Sequence, residues 1–417
     1  MDLLDRLGAR TLELVATPSQ TGAEAPGIDL VAAWLAELGV EVDRWTDTME
    51  ALASDPAFPG SEVVRDLVPV VAAEFRGQRS GPTTVLTGHV DVVPVGDPDT
   101  WTRPPDGERR GDVVHGRGAC DMKAGLVAAL HAFEDRVRRG PDFAGTLRFV
   151  AVPGEEDGGT GTLAAIRRGW TGDNVIITEP TSRDGEPAIV VAHGGALTYT
   201  IEITGRSAHA ATRLEGESAL EHLFTVQGVL RTLEEDLNAA EDDPRMRALG
   251  LPYPTTIGTV HGGVWASNVM ESVRAEARLG VAVGESVAEA SRRIEVGVRE
   301  ALADDPWLST HPPRLERTGA AFGSSAIPDD HPLVVAAAEA AEAELGTRPA
   351  LVGAPYGCDM ALWTRTGGAA TLVFGPGDVS KAHAPDESVD LGEVVSVART
   401  LIRLIDELHG DGSGDSD

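Results

Sequence analysis

Apolar positions fall into two rhythms along the first 193 residues. Short continuous runs at 68–75 ("VPVVAAEF"), 83–88 ("TTVLTG"), 146–152 ("TLRFVAV") and 174–178 ("NVIIT") predict buried strands. Between them, apolar residues recur at helical spacing over 3–16, 25–38, 122–138 and 160–169. Alternation of this kind predicts an α/β sheet covered by helices. The rhythm changes at "HGGALTYTIEITG" (193–205), where 196–203 alternates as a half-exposed strand does. A helix over 217–237 follows, with Leu220, Leu223, Phe224, Leu230, Leu233 and Leu237 placed on one side. Strands at 256–262 and 273–283 and a helix at 286–303 complete a small α+β unit inserted in the first. From about 318 the first rhythm returns, with helices at 332–345, 358–366 and 391–408 and strands at 350–353 and 370–374. The tail "HGDGSGDSD" lacks apolar residues, so 411–417 is expected to be disordered.

Composition narrows the class. A chain of 417 residues, 42% of them hydrophobic, can fill the cores of two domains. No apolar run reaches the ~20 residues of a membrane span, and the charged start "MDLLDRLGARTLELVA" is unlike a signal peptide. Two cysteines, Cys120 and Cys358, fit a reducing cytoplasm. The formal charge of −31 opposes binding to nucleic acid or anionic membranes. Lysine occurs only at Lys123 and Lys381. None of this specifies a reaction.

The polar residues that follow the predicted strands are more informative, because open α/β sheets bind ligands beyond their strands' carboxyl ends. "GHVDVVP" brings His89 and Asp91, "PGEED" brings Glu155 and Glu156, "TEP" brings Glu179, and "GPGDVSKAHAPDE" brings His383. "GRGACDMKAG" sets Asp121 at a helix start. Any one of these alone reads as an ordinary loop. Together they form a His/Asp/Glu set suited to Zn²⁺. Five ligands exceed one tetrahedral site, whereas two cations ~3.5–4 Å apart sharing one carboxylate would use them all. His89 and Asp91 stand two apart, so on an extended chain Asp91 faces the second ring nitrogen of His89. Motifs of other hydrolases and of nucleotide binding (HExxH, GxSxG, GxxxxGK[ST]) are absent.

In order and spacing, "GHVDVVP…W", "GRGACDMKAG", "PGEEDGGTGT", "TEP", "GRSAHA" and "FGPGD…AHAPDE" make the chain resemble the acetylornithine deacetylase / succinyl-diaminopimelate desuccinylase / glutamate carboxypeptidase family of di-zinc amidohydrolases. The resemblance implies a zinc-peptidase-like catalytic domain, a mixed sheet flanked by helices, over 1–194 and 318–410. It implies an inserted α+β lid and dimerisation domain over 195–317. By the same resemblance His89 and Glu179 hold one metal, Glu156 and His383 the other, and Asp121 bridges them. Glu155 becomes the general base and Asp91 the orienting partner of His89. His209 in "GRSAHA" becomes a lid histidine that reaches the partner subunit's site and steadies the oxyanion. The expected cofactors are two Zn²⁺, with Co²⁺ or Mn²⁺ as alternatives in the same site. The expected partners are a small-molecule substrate and a second copy of the chain, joined through the lid.

Substrate recognition departs from the family pattern. Asn268 in "SNVMES" matches an asparagine that helps hold substrate, but Glu271 stands where proline is common, and Ala282 lies near where an arginine for a substrate carboxylate is common. Arg278 or Arg213 would have to compensate. In "GAPYGCDMALW", Tyr356 and Asp359 are candidate substrate contacts, with a helix N-cap as the plainer role for Asp359. Lys123 has a plain reading as a solvated helix residue. The reading is a deacylase acting on an N-acyl amino acid or similar small amide. A dipeptidase or carboxypeptidase with the same residues is the alternative, and a silent binding protein is disfavoured by the complete ligand set.

Overall fold

The computed structural model describes residues 2–183 and 185–410, so the expected disordered tail at 411–417 lies outside the described residues. Among them the main sheet has nine strands. Their order is Val42–Thr48, Leu67–Arg76, Ala144–Val152, Arg79–His89, Asn174–Ile177, Ala370–Val373, Ala188–His193 and Ser325–Ala326, with Ala350–Ala354 paired onto Ala188–His193. Its four central strands, Ala144–Val152, Arg79–His89, Asn174–Ile177 and Ala370–Val373, are adjacent and mutually parallel. Their carboxyl ends therefore open on one side. Antiparallel pairs flank this centre, so the sheet is mixed.

Burial explains the strand runs. Val68 and Val70–Ala73 are buried, as are Leu147 and Phe149–Val152, because helices cover both faces. Helix Leu391–His409 packs against helices Pro332–Leu345, Ala124–Arg139 and Leu3–Ala16. Its first turn is capped by Asp390, whose carboxylate accepts from Gly392 N at 2.8 Å and Glu393 N at 3.2 Å. Helix Ala25–Ala36 contacts strands Val42–Thr48, Leu67–Arg76 and Ala144–Val152.

A second sheet runs Thr256–Gly262, Ser272–Val281, Gly195–Thr204, Arg314–Phe322. Helices Ala219–Ala239 and Val287–Ala301 pack on it around a separate core that includes Tyr199, Leu223, Leu230 and Ile294. On the first of these helices Phe224 departs from the expected side: it is 60% exposed. Position 224 follows the buried Leu223 by about 100° around the helix, which carries it off the stripe.

The predicted elements fall within a few residues of those observed. Three of the longer strands lack a prediction, as do the short strands Glu108–Arg110, Val113–His115, Ser325–Ala326 and Ser388–Asp390. Val42–Thr48 is a polar edge strand, "VDRWTDT", with one buried residue, Trp45. Ala188–His193 is buried at every position and so has no alternation. Arg314–Phe322 is mostly exposed in its first half.

His193 closes the strand Ala188–His193, buried. Its Nδ1 lies 2.8 Å from Gly194 O and 3.2 Å from Tyr356 O. Carbonyls only accept, so the proton sits on Nδ1, and the buried Nε2 has no partner. Burial lowers the ring from an ordinary 6.5 to about 4. A proton therefore binds the unfolded chain first as pH falls. The stability that His193 contributes is present above pH 6.5 and is lost between 6.5 and 4, by about 3 kcal/mol. We expect urea unfolding at pH 7 and pH 4.5 to show a clearly smaller stability difference in His193→Asn than in the native chain. An unchanged difference would contradict the assignment.

Candidate metal centre

Each of the four parallel central strands ends in one part of a single cluster. His89 is the last residue of Arg79–His89. Glu155 and Glu156 follow Ala144–Val152, Glu179 follows Asn174–Ile177, and His383 lies in the loop after Ala370–Val373. Asp121 sits in the irregular turn Ala119–Lys123, ahead of helix Ala124–Arg139, with non-helical backbone angles. Gly125 lets that helix close on the sheet. A Cβ there would lie 1.7 Å from Thr178 O, so a larger residue would push Asp121 away from Glu179.

His89 Nε2 is 3.3 Å from Asp121 Oδ1 and 3.9 Å from Glu155 Oε2. His383 Nε2 is 3.3 Å from Asp121 Oδ2, and 3.1 and 3.0 Å from the two oxygens of Glu156. Two sets, His89/Asp121/Glu156 and His89/Glu155/Glu179, each bring ligand atoms within 4.8 Å of one another. His89 Nε2 and Glu179 Oε1 are buried without a hydrogen-bond partner. With its proton on Nδ1, His89 presents a lone pair at Nε2, as Glu179 does at Oε1, and unpartnered buried lone pairs among carboxylates are what a bound cation would satisfy. The residues therefore fit a metal pair. His383 is the open side, with its side chain 51% exposed.

The charges record the crowding. Burial, then the Glu179 carboxylate, pushes Glu155 well above the usual carboxylate range. Burial, then Asp121, raises Glu179 to about 8. Burial also raises Glu156. Burial opposes ionisation of Asp121 too, yet the rings of His383 and His89, each 3.3 Å away, hold it below its ordinary value. Asp121 and Glu156 in turn raise His383 to about 10. Burial works against a charged His89 ring, but Asp121 and Asp91 outweigh it.

Asp91 acts on His89 through its main chain. His89 Nδ1 donates to Asp91 O at 2.9 Å, while the Asp91 carboxylate is 3.5 Å away. That carboxylate instead accepts from Glu155 N at 3.3 Å and Glu156 N at 3.2 Å, tying the glutamate loop to the histidine strand. Asp359 stands at the first turn of helix Met360–Arg365 but makes no cap hydrogen bond. It accepts from Thr162 Oγ1 at 2.5 Å, its Oδ1 is buried without a partner, and burial raises it to about 6. Tyr356 is half-buried nearby. Burial, then Glu179, raises its hydroxyl well above the ordinary value.

The remaining predicted residues sit on or beside the second sheet. His209 is exposed, and its Nδ1 accepts from Ala211 N at 3.0 Å. Asn268 is exposed and bridges His209 through the main chain. Arg278 is half-buried on strand Ser272–Val281, without a hydrogen bond or ion pair among the described residues. Burial disfavours its charge, and Glu62 partly restores it. Arg213 is exposed. No hydrogen bond or ion pair of these four reaches the cluster among the described residues.

Three supporting residues escaped sequence reasoning. The buried Glu387 carboxylate accepts from Cys120 N at 2.9 Å, Asp121 N at 3.0 Å and Arg117 Nη1 at 2.6 Å. Arg117 also donates to His383 O at 3.2 Å and Ala384 O at 3.4 Å. One buried ion pair thus fixes the loops of Asp121 and His383 together. Lys123 is buried rather than solvated. Its ammonium donates to Leu14 O at 2.9 Å and Thr17 O at 3.3 Å at the end of the first helix, and burial lowers it to about 8. The only signal in the sequence was that "GRGACDMK" and "AHAPDE" carry unspent charges beside ligands.

Strand-end carboxylates and histidines on a mixed α/β sheet define a metal-dependent hydrolase. The family model "Peptidase family M20/M25/M40" matches residues 85–407, and the chain belongs to that family of metallohydrolases acting on amide bonds. It is 34% identical over 370 residues to the succinyl-diaminopimelate desuccinylase of Methylobacterium nodulans, covering 82% of each chain. It is 25% identical to the N-formyl-4-amino-5-aminomethyl-2-methylpyrimidine deformylase of Halalkalibacterium halodurans, over 95% of this chain and 92% of the relative. Its fold matches an M20 family metallo-carboxypeptidase from Sulfolobus solfataricus with TM-score 0.73 and 17% identity, over 97% of this chain and 99% of the other.

The Glu387–Arg117 pair yields a direct prediction. Glu387→Gln leaves Arg117 buried without its counter-charge and should cost about 3 kcal/mol of stability. Metal affinity, measured by isothermal titration, should fall about 10–100-fold. Native affinity in the variant would show that the pair does not hold the ligands.

Proposed function

We propose that this chain is a di-metal deacylase that removes an acyl group from an N-acyl amino acid or a similar small amide. The observation that carries it is the convergence of His89, Asp121, Glu156, Glu179 and His383 around one space, with Glu155 beside them. The desuccinylase and deformylase relatives both have names that describe acyl removal, which supports the deacylase over the peptidase reading.

On this reading His89 and Glu179 hold one cation, Glu156 and His383 the second, and Asp121 spans both. Zn²⁺ suits the donor set, and Co²⁺ or Mn²⁺ would fit the same residues. When bound, the cations would polarise the amide carbonyl and acidify a water. Glu155 takes the proton of the attacking water, aided by the raised proton affinity that burial and Glu179 give it. It then delivers that proton to the departing amine. Asp91 holds the Glu155–Glu156 main chain and the His89 ring in place.

Residues 195–317 act as a lid that carries His209, Asn268 and Arg278. We place the dimer contact on this lid. Leu214, Phe224, Val260, Val264 and Trp265 are exposed there, and Thr256–Gly262 is an edge strand. His209 then serves the partner's site and steadies its oxyanion. Among the described residues no helix is long and apolar enough to cross a membrane. We assign the enzyme to the cytoplasm.

A panel of N-acyl amino acids and dipeptides tests the activity. Hydrolysis of N-acyl substrates should disappear with chelator and return with Zn²⁺. Activity only on substrates with a free α-amine would favour a dipeptidase. Glu155→Gln should lower kcat by about 10²–10⁴-fold while metal uptake persists. Mixed dimers of Glu155→Ala and His209→Ala subunits should recover part of the native rate, and verified mixed dimers without recovery would contradict action across subunits.

A further inference from the structure

We propose that an apolar cavity walled in part by the loops that carry Glu179 and His383 receives an aliphatic acyl group of the substrate. The proposal rests on the deacylase reading and specifies which acyl group that site takes. The cavity encloses about 370 Å³, the space of roughly a dozen water-sized atoms. That lies at the lower end of the range for small-molecule pockets. Ala188 and Val190 of strand Ala188–His193 line it, with Leu351 of strand Ala350–Ala354 and Leu249 beyond helix Pro244–Arg247.

Part of its wall comes from the loops that carry Glu179 and His383. Thr181 lies two residues after Glu179, and Ser380 three before His383. These two loops are zipped together by the main chain. Ser182 N donates to Gly377 O at 3.1 Å, and Val379 N to Ser182 O at 3.3 Å. The cavity therefore shares backbone with both proposed metal sites. Tyr356 also lines it, and the Tyr356 hydroxyl feels the charges of Glu179, Asp121 and Glu155. Tyr356 is thus a wall residue of the cavity whose raised hydroxyl also responds to the carboxylate cluster.

Two arguments fix the occupant. First, the cavity's floor is strands Ala188–His193 and Ala350–Ala354 of the main sheet, closed over by Arg245, Ala248 and Leu249 of the inserted segment, whereas Asn268 and Arg278, proposed to hold the amino acid, lie beside and on the second sheet. The acyl half of the amide is what remains for the cavity. Second, its lining offers little to a charged group. Arg245 is neutralised by Asp243 and Asp329. Arg183, the other arginine of the lining, is exposed, so water and salt screen its charge. An unbranched chain of four to six carbons would bury its methylenes against Val190, Leu249 and Leu351, each methylene adding to transition-state binding.

The zinc-loaded enzyme is assayed with N-acetyl, N-hexanoyl and N-succinyl forms of one amino acid. We expect kcat/KM for hexanoyl to exceed acetyl by about tenfold or more, with succinyl not preferred over hexanoyl. Ala248 lines the cavity and is exposed, so Ala248→Trp narrows it without disturbing a core. That variant should lose about tenfold on hexanoyl and keep its acetyl rate. Equal rates for acetyl and hexanoyl, a preference for succinyl, or an Ala248→Trp variant slowed equally on all three overturns the cavity assignment. If no N-acyl amino acid is cleaved, the deacylase reading fails. The cavity is then judged by isothermal titration of n-hexanoate, which must bind the native chain and bind Ala248→Trp at least tenfold more weakly.

Discussion

Like-charge repulsion in a buried space governs this molecule. Asp121, Glu155, Glu156 and Glu179 are drawn around His89 where little water reaches them. Two carboxylates about 4 Å apart repel by roughly 4 kcal/mol at the effective permittivity of a protein surface, and by more inside. The fold accepts that cost because four parallel strands end side by side, and their loops have nowhere else to go. Proton affinity alone relieves it in part: Glu155, Glu156 and Glu179 are all raised. Cations would relieve it further and leave Glu155 as the group free to move a proton. Structure and catalysis thus share one electrostatic problem.

The scaffold around the cluster consists of opposite charges with little solvent. Arg117–Glu387 joins the loops of Asp121 and His383. Arg65 lies between Glu24 and Asp157, at 2.7 and 2.9 Å, and Asp157 immediately follows the two glutamates. Lys123 ties the Asp121 turn to the first helix. Breaking a buried pair of this kind leaves a charge unpaired, which costs more than the pair ever contributed. Rigidity at the ligands is the return for that exposure to damage.

Much of the site was legible because chain direction and sheet topology turn a linear signal into a spatial one. His89, Glu155, Glu179 and His383 each follow a run of apolar residues, and parallel neighbours put those runs' ends together. The fold class was legible for the same reason, as helical and strand rhythms alternate. What escaped depends on long-range pairing. Glu387 reads as one more acid in "AHAPDE" until its carboxylate is seen on the Asp121 amide, 266 positions away. The orientation of His89 was expected from the Asp91 side chain, yet the turn brings the Asp91 carbonyl closer. The edge strand Val42–Thr48 has too little buried surface to leave a pattern.

The central claim is that one buried carboxylate, Asp121, is shared by two cations while Glu155 binds neither. Anomalous diffraction from crystals of the zinc-loaded protein tests it most directly. The account predicts two peaks per chain about 3.5–4 Å apart. Asp121 should lie between them, His89 and Glu179 on one, Glu156 and His383 on the other, and Glu155 uncoordinated beside both. A single peak, or Glu155 as a direct ligand, would contradict it.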